Sequence, residues 1–375
     1  MSSFEALEKF TTLLRVSDQK WDSIRRIPYS TPGRWVRALD ISALGPLSRS
    51  EICAADACLT FVFPLVPYLT RLTLSLELPL SVRAIGALGI RDGACNLKSL
   101  KGLKYDTGDG LSIGDSGDAV TELIACCTGL EELEVIGLGM DELDMMIAAN
   151  ATAGEHAPLS QTMPLHERTY RTLRLPNLRT LTLLSTPSSD FLLALTQSSL
   201  PSLRNAVLTP YGDIPAPLSL VSVFLAKHGP SLRTLVLHTP CAWPTILYPP
   251  PTSLLKFCPN LIALSLEGAR LELSPPDSSR LQRTHLPEKG TVTQGHPLRS
   301  LWIPRPTPAM RELLLQLLPY LPHLREVCAR DVRWAKKGMS ARALEAGHQG
   351  EMRAWRRVLG PRGIRILDKD GKDGS

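Results

Sequence analysis

The sequence has few aromatic side chains and no long hydrophobic run. Only 5% of its 375 residues are Phe, Trp or Tyr, so a folded core has to be built from aliphatic side chains. The most apolar stretch, 59–69, is short and contains two prolines, whereas a membrane-spanning helix needs about 20 apolar residues. The first ten residues include three charged side chains where a secretory signal requires an apolar run. These absences predict a cytoplasmic or nuclear protein without a membrane span.

The sequence also lacks the clusters that bind metals or activate a nucleophile. It has eight cysteines but no Cys-x-x-Cys pair, and zinc ligands are normally clustered at short spacing. The eight histidines are scattered, with no Ser/Asp or Cys/Asp pair placed to activate one of them. The glycine-rich segment 108–117 lacks the Lys-Ser/Thr of a phosphate-binding loop. We therefore predict that the protein is not an enzyme and uses no metal or cofactor.

What the sequence does contain is a recurring triplet of aliphatic residues at the first, fourth and sixth positions of a short segment. Successive copies start 25 to 37 residues apart, except for one interval of 48. This spacing is typical of a solenoid, and the phase fits a short strand with one face turned inward. Stacked copies bury the apolar face that a single strand leaves exposed. The copies are Val36/Leu39/Ile41, Leu69/Leu72/Leu74, Leu100/Leu103/Tyr105, Leu130/Leu133/Val135, Leu178/Leu181/Leu183, Leu203/Ala206/Leu208, Leu232/Leu235/Leu237, Leu261/Leu264/Leu266, Leu298/Leu301/Ile303 and Leu324/Val327/Ala329.

The segments between the triplets predict helices. Apolar residues recur at helical spacing in 118–126, 190–195, 218–226 and 309–318. About ten strand–helix units predict an α/β leucine-rich-repeat solenoid, a horseshoe with parallel strands on the concave face and helices on the convex face. Residues 1–32 form a helical link or cap in this prediction, and 33–330 form the solenoid. Polar, aperiodic segments near 148–170 and 274–296 are expected to be inserted loops.

Several repeats resemble those of known families. Asn177-Leu-Arg-Thr-Leu-Thr-Leu183 and Ser231-Leu-Arg-Thr-Leu-Val-Leu237 are similar to ribonuclease-inhibitor-like leucine-rich repeats, as is Asn260-Leu-Ile-Ala-Leu-Ser-Leu266. Trp35-Val-Arg-Ala-Leu-Asp-Ile41 resembles the first repeat of fungal F-box/leucine-rich-repeat proteins. The resemblance implies a protein that selects substrates for a cullin ubiquitin ligase through the ligase adaptor.

The sequence departs from that family at its amino-terminal end, and two alternatives therefore stay open. We recognise no F-box there, because residues 1–27 predict only one amphipathic helix with a capping box at Ser2 and Glu5. One alternative is an adaptor-free regulator or inhibitor similar to the leucine-rich Ran GTPase activators or the ribonuclease inhibitor. The other is a hydrolase or transferase hidden in the fold, which is the least favoured because the sequence shows no activated nucleophile or metal cluster. Under either non-enzymatic reading we expect a monomer that binds a protein partner.

Side chains between the inward aliphatics are expected on the concave face. Trp302 is the best single anchor there, because binding hot spots favour Trp; alternatively it packs under the 274–296 loop. Glu132 and Glu134 either bind a basic peptide or pair with Lys104. The candidate protein-binding residues are Arg71, Lys104, Glu132, Glu134, Thr182, Val207, Val236, His238, Glu267, Trp302 and Arg330.

The net charge of +6 lies in the carboxyl-terminal part of the chain. Residues 325–375 carry 13 Lys or Arg and seven Asp or Glu, so the remainder is nearly neutral and we expect no nucleic-acid binding. Met352, Trp355 and Leu359 fall on one helical stripe among arginines. This helix binds an acidic partner or a membrane surface, or it caps the last repeat. We favour a basic cap over 331–375, ending in a frayed tail from Asp368.

Overall fold

Helices and parallel strands alternate along the described chain. A computed structural model describes residues 3–19, 32–90, 93–105, 118–139, 172–211, 219–240, 250–267, 273, 295–334 and 347–373. In these residues there are nine α-helices, several short 3-10 turns and eleven strands. The chain divides into two compact units, Met1–Leu203 and Arg204–Ser375. None of the helices in the described ranges is long and apolar enough to cross a lipid bilayer.

The first unit contains five strands that pair in chain order, each parallel to the next. They are β1 (Ala38–Asp40), β2 (Arg71–Thr73), β3 (Ser99–Tyr105), β4 (Glu132–Gly137) and β5 (Thr180–Leu184). Five helices accompany them and contact one another in the same order. They are α1 (Phe4–Gln19), α2 (Arg49–Leu65), α3 (Val82–Ile90), α4 (Ala119–Cys126) and α5 (Asp190–Gln197).

The second unit repeats this arrangement with six parallel strands, again paired in chain order. They are β6 (Asn205–Leu208), β7 (Thr234–Leu237), β8 (Ala263–Ser265), β9 (Ser300–Ile303), β10 (Glu326–Ala329) and β11 (Arg365–Leu367). Its helices are α6 (Val221–His228), α7 (Leu254–Phe257), α8 (Pro308–Leu317) and α9 (Gly347–Leu359). The predicted α/β alternation with parallel strands is thus present in both units.

The buried aliphatic triplets explain why these strands form where they do. The middle residue of a triplet lies within its strand with its side chain in the core, as Leu72, Leu181 and Leu235 do, each with no exposed surface. The flanking residues of the same strands are partly exposed. Parallel strands need a crossover connection, and each helix supplies the second wall of the core. One face of every strand is therefore fixed by burial, and the other is left for solvent or a partner.

Polar caps fix several helix starts, including one that the sequence did not predict. The Asp118 carboxylate accepts hydrogen bonds from the first-turn N–H groups of α4, and Ser189 Oγ accepts one from Leu192 N of α5. The helix α2 begins after Ser48, which forms a capping box with Glu51. We did not predict α2, and its Pro64 lies in the last turn, where the helix ends at Leu65.

The third triplet has a different register from the predicted one. Leu100 pairs with Leu72 of β2, so it takes the middle position of its repeat. The pairing of β3 with β4 then shifts between Leu100 and Leu103. Gly102 lies at this shift with a φ of +73°, a value that glycine adopts readily because it has no Cβ. In this repeat the strand face carries Lys101 as well as the predicted Lys104.

The carboxyl-terminal segment contains a helix and a strand rather than a frayed tail. Met352, Trp355 and Leu359 of α9 are buried with at most 1% of their surface exposed, and β11 pairs with β10. Beyond β11 the Asp368 carboxylate accepts hydrogen bonds from the backbone N–H groups of Trp334, Asp370 and Lys372. The predicted fraying is therefore wrong for residues 368–373. The 148–170 loop, most of the 274–296 loop and residues 374–375 lie outside the described residues.

One buried histidine is expected to make stability depend on pH. His296 hydrogen-bonds through Nε2 to the Cys258 carbonyl oxygen at 2.9 Å, and its Nδ1 accepts from Leu298 N. Burial lowers the pKa of His296, although the backbone hydrogen bonds oppose this. The unfolded chain then binds more protons than the folded chain below about pH 6.5. This contribution to stability is complete above that pH and is lost as the pH falls toward the lowered folded-state pKa.

The measurement is the free energy of unfolding of wild type and of His296→Gln between pH 8 and pH 5. We expect the wild type to show a steeper loss of stability on acidification, by up to about 1.4 kcal/mol per pH unit for one proton. His323→Gln is the matched control, because His323 is exposed. Equal pH slopes for wild type and His296→Gln contradict the prediction.

Candidate functional site

Parallel register in the second unit arranges the outward side chains of its strands in rows. Neighbouring strands lie about 4.8 Å apart, so aligned residues are in contact. The first row has a polar centre, whereas the second row is mostly apolar and has Trp302 as its largest side chain. The first row is Asn205, Thr234, Ala263, Ser300, Glu326 and Arg365, and the second is Val207, Val236, Ser265, Trp302, Cys328 and Leu367.

Trp302 stands at the centre of the second row. It pairs with Ser265 of β8 on one side and with Cys328 of β10 on the other. It is only partly buried, because the residues beside it are small. An indole in this setting presents both an apolar ring and an N–H donor.

A polar network lies just beyond the carboxyl ends of β7 and β8. His238 Nδ1 and Glu267 Oε1 are 2.5 Å apart, and Glu267 Oε2 accepts a hydrogen bond of 3.0 Å from Thr239 N. Because a carboxylate only accepts, Nδ1 carries the shared proton and Nε2 points away from Glu267. The backbone also holds His238, whose N–H donates to the Leu208 carbonyl oxygen.

Arg330 joins this network from beyond β10. Its Nη1 donates to Ser265 Oγ at 2.9 Å and to Glu267 Oε1 at 3.3 Å. Since β9 lies between β8 and β10, the Arg330 side chain must cross β9, the strand that carries Trp302. The network thus joins side chains from three repeats, those of β7, β8 and β10, and we call it the His238–Glu267–Arg330 network.

Several polar groups around Trp302 keep unused hydrogen-bonding capacity. Within the described residues, the Trp302 indole N–H, His238 Nε2, and the Nε and Nη2 atoms of Arg330 make no hydrogen bond. Glu267, by contrast, already accepts from three groups. The unused groups on Arg330 and Trp302 are all donors, so this part of the surface favours a ligand with acceptor oxygens.

A second ion pair lies on the first row of the same face. Ser300 Oγ donates to Glu326 Oε1 at 2.6 Å, and Arg365 Nη2 donates to Glu326 Oε2 at 3.2 Å. The Cys328 thiol donates to the Asp368 carbonyl oxygen, and burial raises the pKa of this thiol. The raised pKa favours the neutral thiol, which is a weaker nucleophile than the thiolate.

The strand face of the first unit carries a different set of charges. Lys101 Nζ lies 2.8 Å from Glu132 Oε2, and Ser99 Oγ donates to the same oxygen at 3.0 Å. These two hydrogen bonds hold the pKa of Glu132 below its usual value. Glu134 behaves in the opposite way, because burial raises its pKa and the Lys101 charge offsets only part of this effect. The partner of Glu132 is thus Lys101 and not Lys104, the partner that one of the two alternatives gave it.

All eleven predicted site residues are at least partly exposed, and the two units share them. Arg71 aligns with Ser99, Thr182 with Glu134, and Lys104 with Ile136. The residues of the second unit are Val207, Val236, His238, Glu267, Trp302 and Arg330, of which the polar three join in one network. The contributions of Lys101 and of the Thr239 N–H were missed, because they depend on register and backbone position that no sequence motif marks.

The pairing of His238 with Glu267 resembles the orienting part of a catalytic triad, but no described hydroxyl or thiol hydrogen-bonds to Nε2. Among the residues that the structure places, no group of three or more His, Cys, Asp or Glu is arranged to hold a metal ion.

Comparison with known proteins adds no relative. No protein-family model matches this chain, and no curated protein matches it. Any function therefore has to be argued from the strand faces and from the repeat pattern.

Proposed function

We propose that this chain is a non-catalytic protein-recognition scaffold of the leucine-rich-repeat type. In this proposal about ten repeats form a horseshoe, and the strand face binds a partner protein. The observation that carries the proposal is the second unit's strand face, where an apolar row with Trp302 at its centre adjoins the His238–Glu267–Arg330 network. Partly exposed apolar side chains bordered by polar groups are the usual composition of a protein interface.

The arrangement of repeats supports recognition of an extended surface. Each repeat adds one side chain to each row, so a partner that lies across the strands contacts several repeats at once. Solenoid proteins commonly bind partners in this way. A scaffold of this kind needs no nucleophile, metal or cofactor of its own.

The resemblance to F-box/leucine-rich-repeat proteins extends the proposal to ubiquitination. In that extension the scaffold holds a substrate near a cullin ubiquitin ligase, which supplies the chemistry. An adaptor-free regulator is the alternative form of the same recognition function. The two differ in whether the cullin adaptor binds the chain.

The test is affinity purification of the tagged full chain with identification of bound proteins by mass spectrometry. We expect Trp302→Ala to reduce recovery of the specific partners at least about tenfold, the size of effect typical of an interface hot spot. Trp35→Ala is the matched control, because Trp35 is 72% exposed and precedes β1 instead of lying on the strand face.

Each outcome of this purification bears on the proposal. Unchanged recovery with Trp302→Ala removes the strand face of the second unit as the binding site. Recovery of the adaptor and cullin supports the ubiquitin-ligase role. Stable partners recovered without either protein leave an adaptor-free scaffold, and ubiquitination is then dropped.

A further inference from the structure

We infer that the strand face of the second unit binds a carboxylate side chain within an extended, otherwise apolar segment of the partner protein. Arg330 and Trp302 donate the hydrogen bonds to this carboxylate. The inference rests on the recognition function proposed above and adds the chemistry of the partner.

The first argument is that the Arg330 guanidinium is already held in place. Its Nη1 is fixed by two acceptors, Ser265 Oγ and Glu267 Oε1, and Glu267 is itself held by His238 and Thr239 N. This leaves the edge formed by Nε and Nη2 without a partner among the described residues. A guanidinium edge binds a carboxylate through two parallel hydrogen bonds, and fixing it beforehand lowers the entropy lost on binding.

The second argument concerns the negative charge of Glu267, which lies close to the proposed carboxylate site. Its two oxygens accept hydrogen bonds from His238, Thr239 N and Arg330. Both oxygens are therefore directed at donors of the protein itself. Only 21% of its side chain is exposed, compared with 42% for Arg330. The more accessible charge of the pair is the positive one.

The third argument is that apolar side chains flank these donors. Trp302 lies on β9, the strand that the Arg330 side chain crosses, and its indole N–H has no partner among the described residues. Val236 and Leu367 lie in the same row as Trp302. A segment that crosses the strands can therefore pack apolar residues on this row and place a carboxylate at Arg330.

The fourth argument is the charge of the surrounding repeats. The described residues 295–334 and 347–373 carry 13 Lys or Arg and seven Asp or Glu, a net charge of +6 before His is counted. Glu326 on the first row is paired with Arg365. A positive region attracts an acidic partner and raises its rate of association.

The experiment selects peptides on the full-length chain from a phage-displayed random library. We expect the selected peptides to contain an Asp or Glu flanked by apolar residues. The best Glu-containing sequence is then synthesised with Glu and with Gln at that position. Its binding to wild type, Arg330→Gln and Arg365→Gln is measured by fluorescence anisotropy.

We expect the Gln peptide to bind wild type at least about tenfold more weakly than the Glu peptide. This difference disappears with Arg330→Gln, because the double-mutant cycle removes both partners of one interaction. It persists with Arg365→Gln, which loses the same charge from the same face. Trp302→Phe, which keeps an aromatic ring but has no N–H, weakens the Glu peptide about threefold. Thermal unfolding of each variant verifies that it folds.

Other results distinguish failure of the carboxylate inference from failure of the proposed recognition function. Selected peptides that lack an acidic residue overturn the inference and leave the recognition function standing, as does a Glu preference that survives Arg330→Gln. If the library yields no binding peptide, recognition of an extended segment fails, and the inference fails with it.

Discussion

Replacing Trp355 with Ala is expected to lower the free energy of unfolding by about 3–5 kcal/mol. Trp355 has no exposed surface and is among the largest fully buried side chains in the described residues. It lies on the α9 stripe with Met352 and Leu359, which are buried with it. Truncation to Ala removes the ring contacts and leaves a cavity at the end of the second unit. Urea unfolding followed by far-ultraviolet circular dichroism measures the loss.

A second substitution separates packing from hydrogen bonding. The Trp355 indole N–H has no hydrogen-bond partner among the described residues, so Trp355→Phe removes a buried donor that costs stability. We expect a loss of only about 1–2 kcal/mol for this variant. Trp35→Ala is the control for loss of an indole from the surface and should change stability by less than about 0.5 kcal/mol. A Trp355→Ala protein as stable as wild type contradicts the buried placement of α9.

Replacing Gly102 with Ala is expected to lower the free energy of unfolding by about 2–5 kcal/mol. Two effects add at this position. The φ of +73° is unfavourable for any residue with a Cβ, by about 1–2 kcal/mol. A Cβ here also lies 2.5 Å from the Leu74 carbonyl oxygen of the neighbouring repeat, and overpacking of this kind costs about 1–3 kcal/mol.

Gly363→Ala provides the matched control for Gly102→Ala. Gly363 has nearly the same backbone angle, with a φ of +74°, but nothing lies within 4 Å of a Cβ at that position. Gly363→Ala should therefore lose only the conformational part, about 1–2 kcal/mol. The difference between the two variants in chemical denaturation measures the clash with the Leu74 backbone. Equal losses of unfolding free energy in the two variants mean that the backbone after β2 shifts to accommodate the Cβ without a free-energy cost.

The repeated strands could be predicted because each is encoded locally. Within one repeat, three aliphatic residues fix which face of the strand is buried, and no information from a distant repeat is needed. Leu72 and Leu235 illustrate this, since each is fully buried within its predicted strand. The start of α5 is also encoded locally, because Ser189 Oγ accepts a hydrogen bond from the backbone N–H of Leu192, three residues later.

The register shift at Gly102 was not predictable in this way. The segment offers four apolar positions, Leu97, Leu100, Leu103 and Tyr105, all of them buried. The triplet pattern fits Leu100/Leu103/Tyr105, and a pattern that starts at Leu97 fails only at its last position, Gly102. The register is set by the pairing of Leu100 with Leu72 in the preceding repeat. This pairing depends on the neighbouring strand and cannot be read from the segment alone.

The His238–Glu267–Arg330 network depends on distances that the sequence does not carry. Its members are 29 and 63 residues apart, and Arg330 reaches over an intervening strand. The sequence placed all three on one face, since alternation along a strand is local. It gave no sign that the side chains meet, because that depends on strand order and on side-chain conformation.

The turn at Asp368 also affects whether the edge of β11 can pair with a strand of another molecule. Leu367, the last residue of β11, pairs with β10 on one side and forms an antiparallel bridge with Asp373 on the other. The chain thus folds back over part of its own outer edge. An unpaired edge is a template for strand addition and aggregation. Arg365, which an incoming strand would meet at the uncovered part, is charged and exposed. Within the described residues, both features disfavour the pairing of another strand with β11.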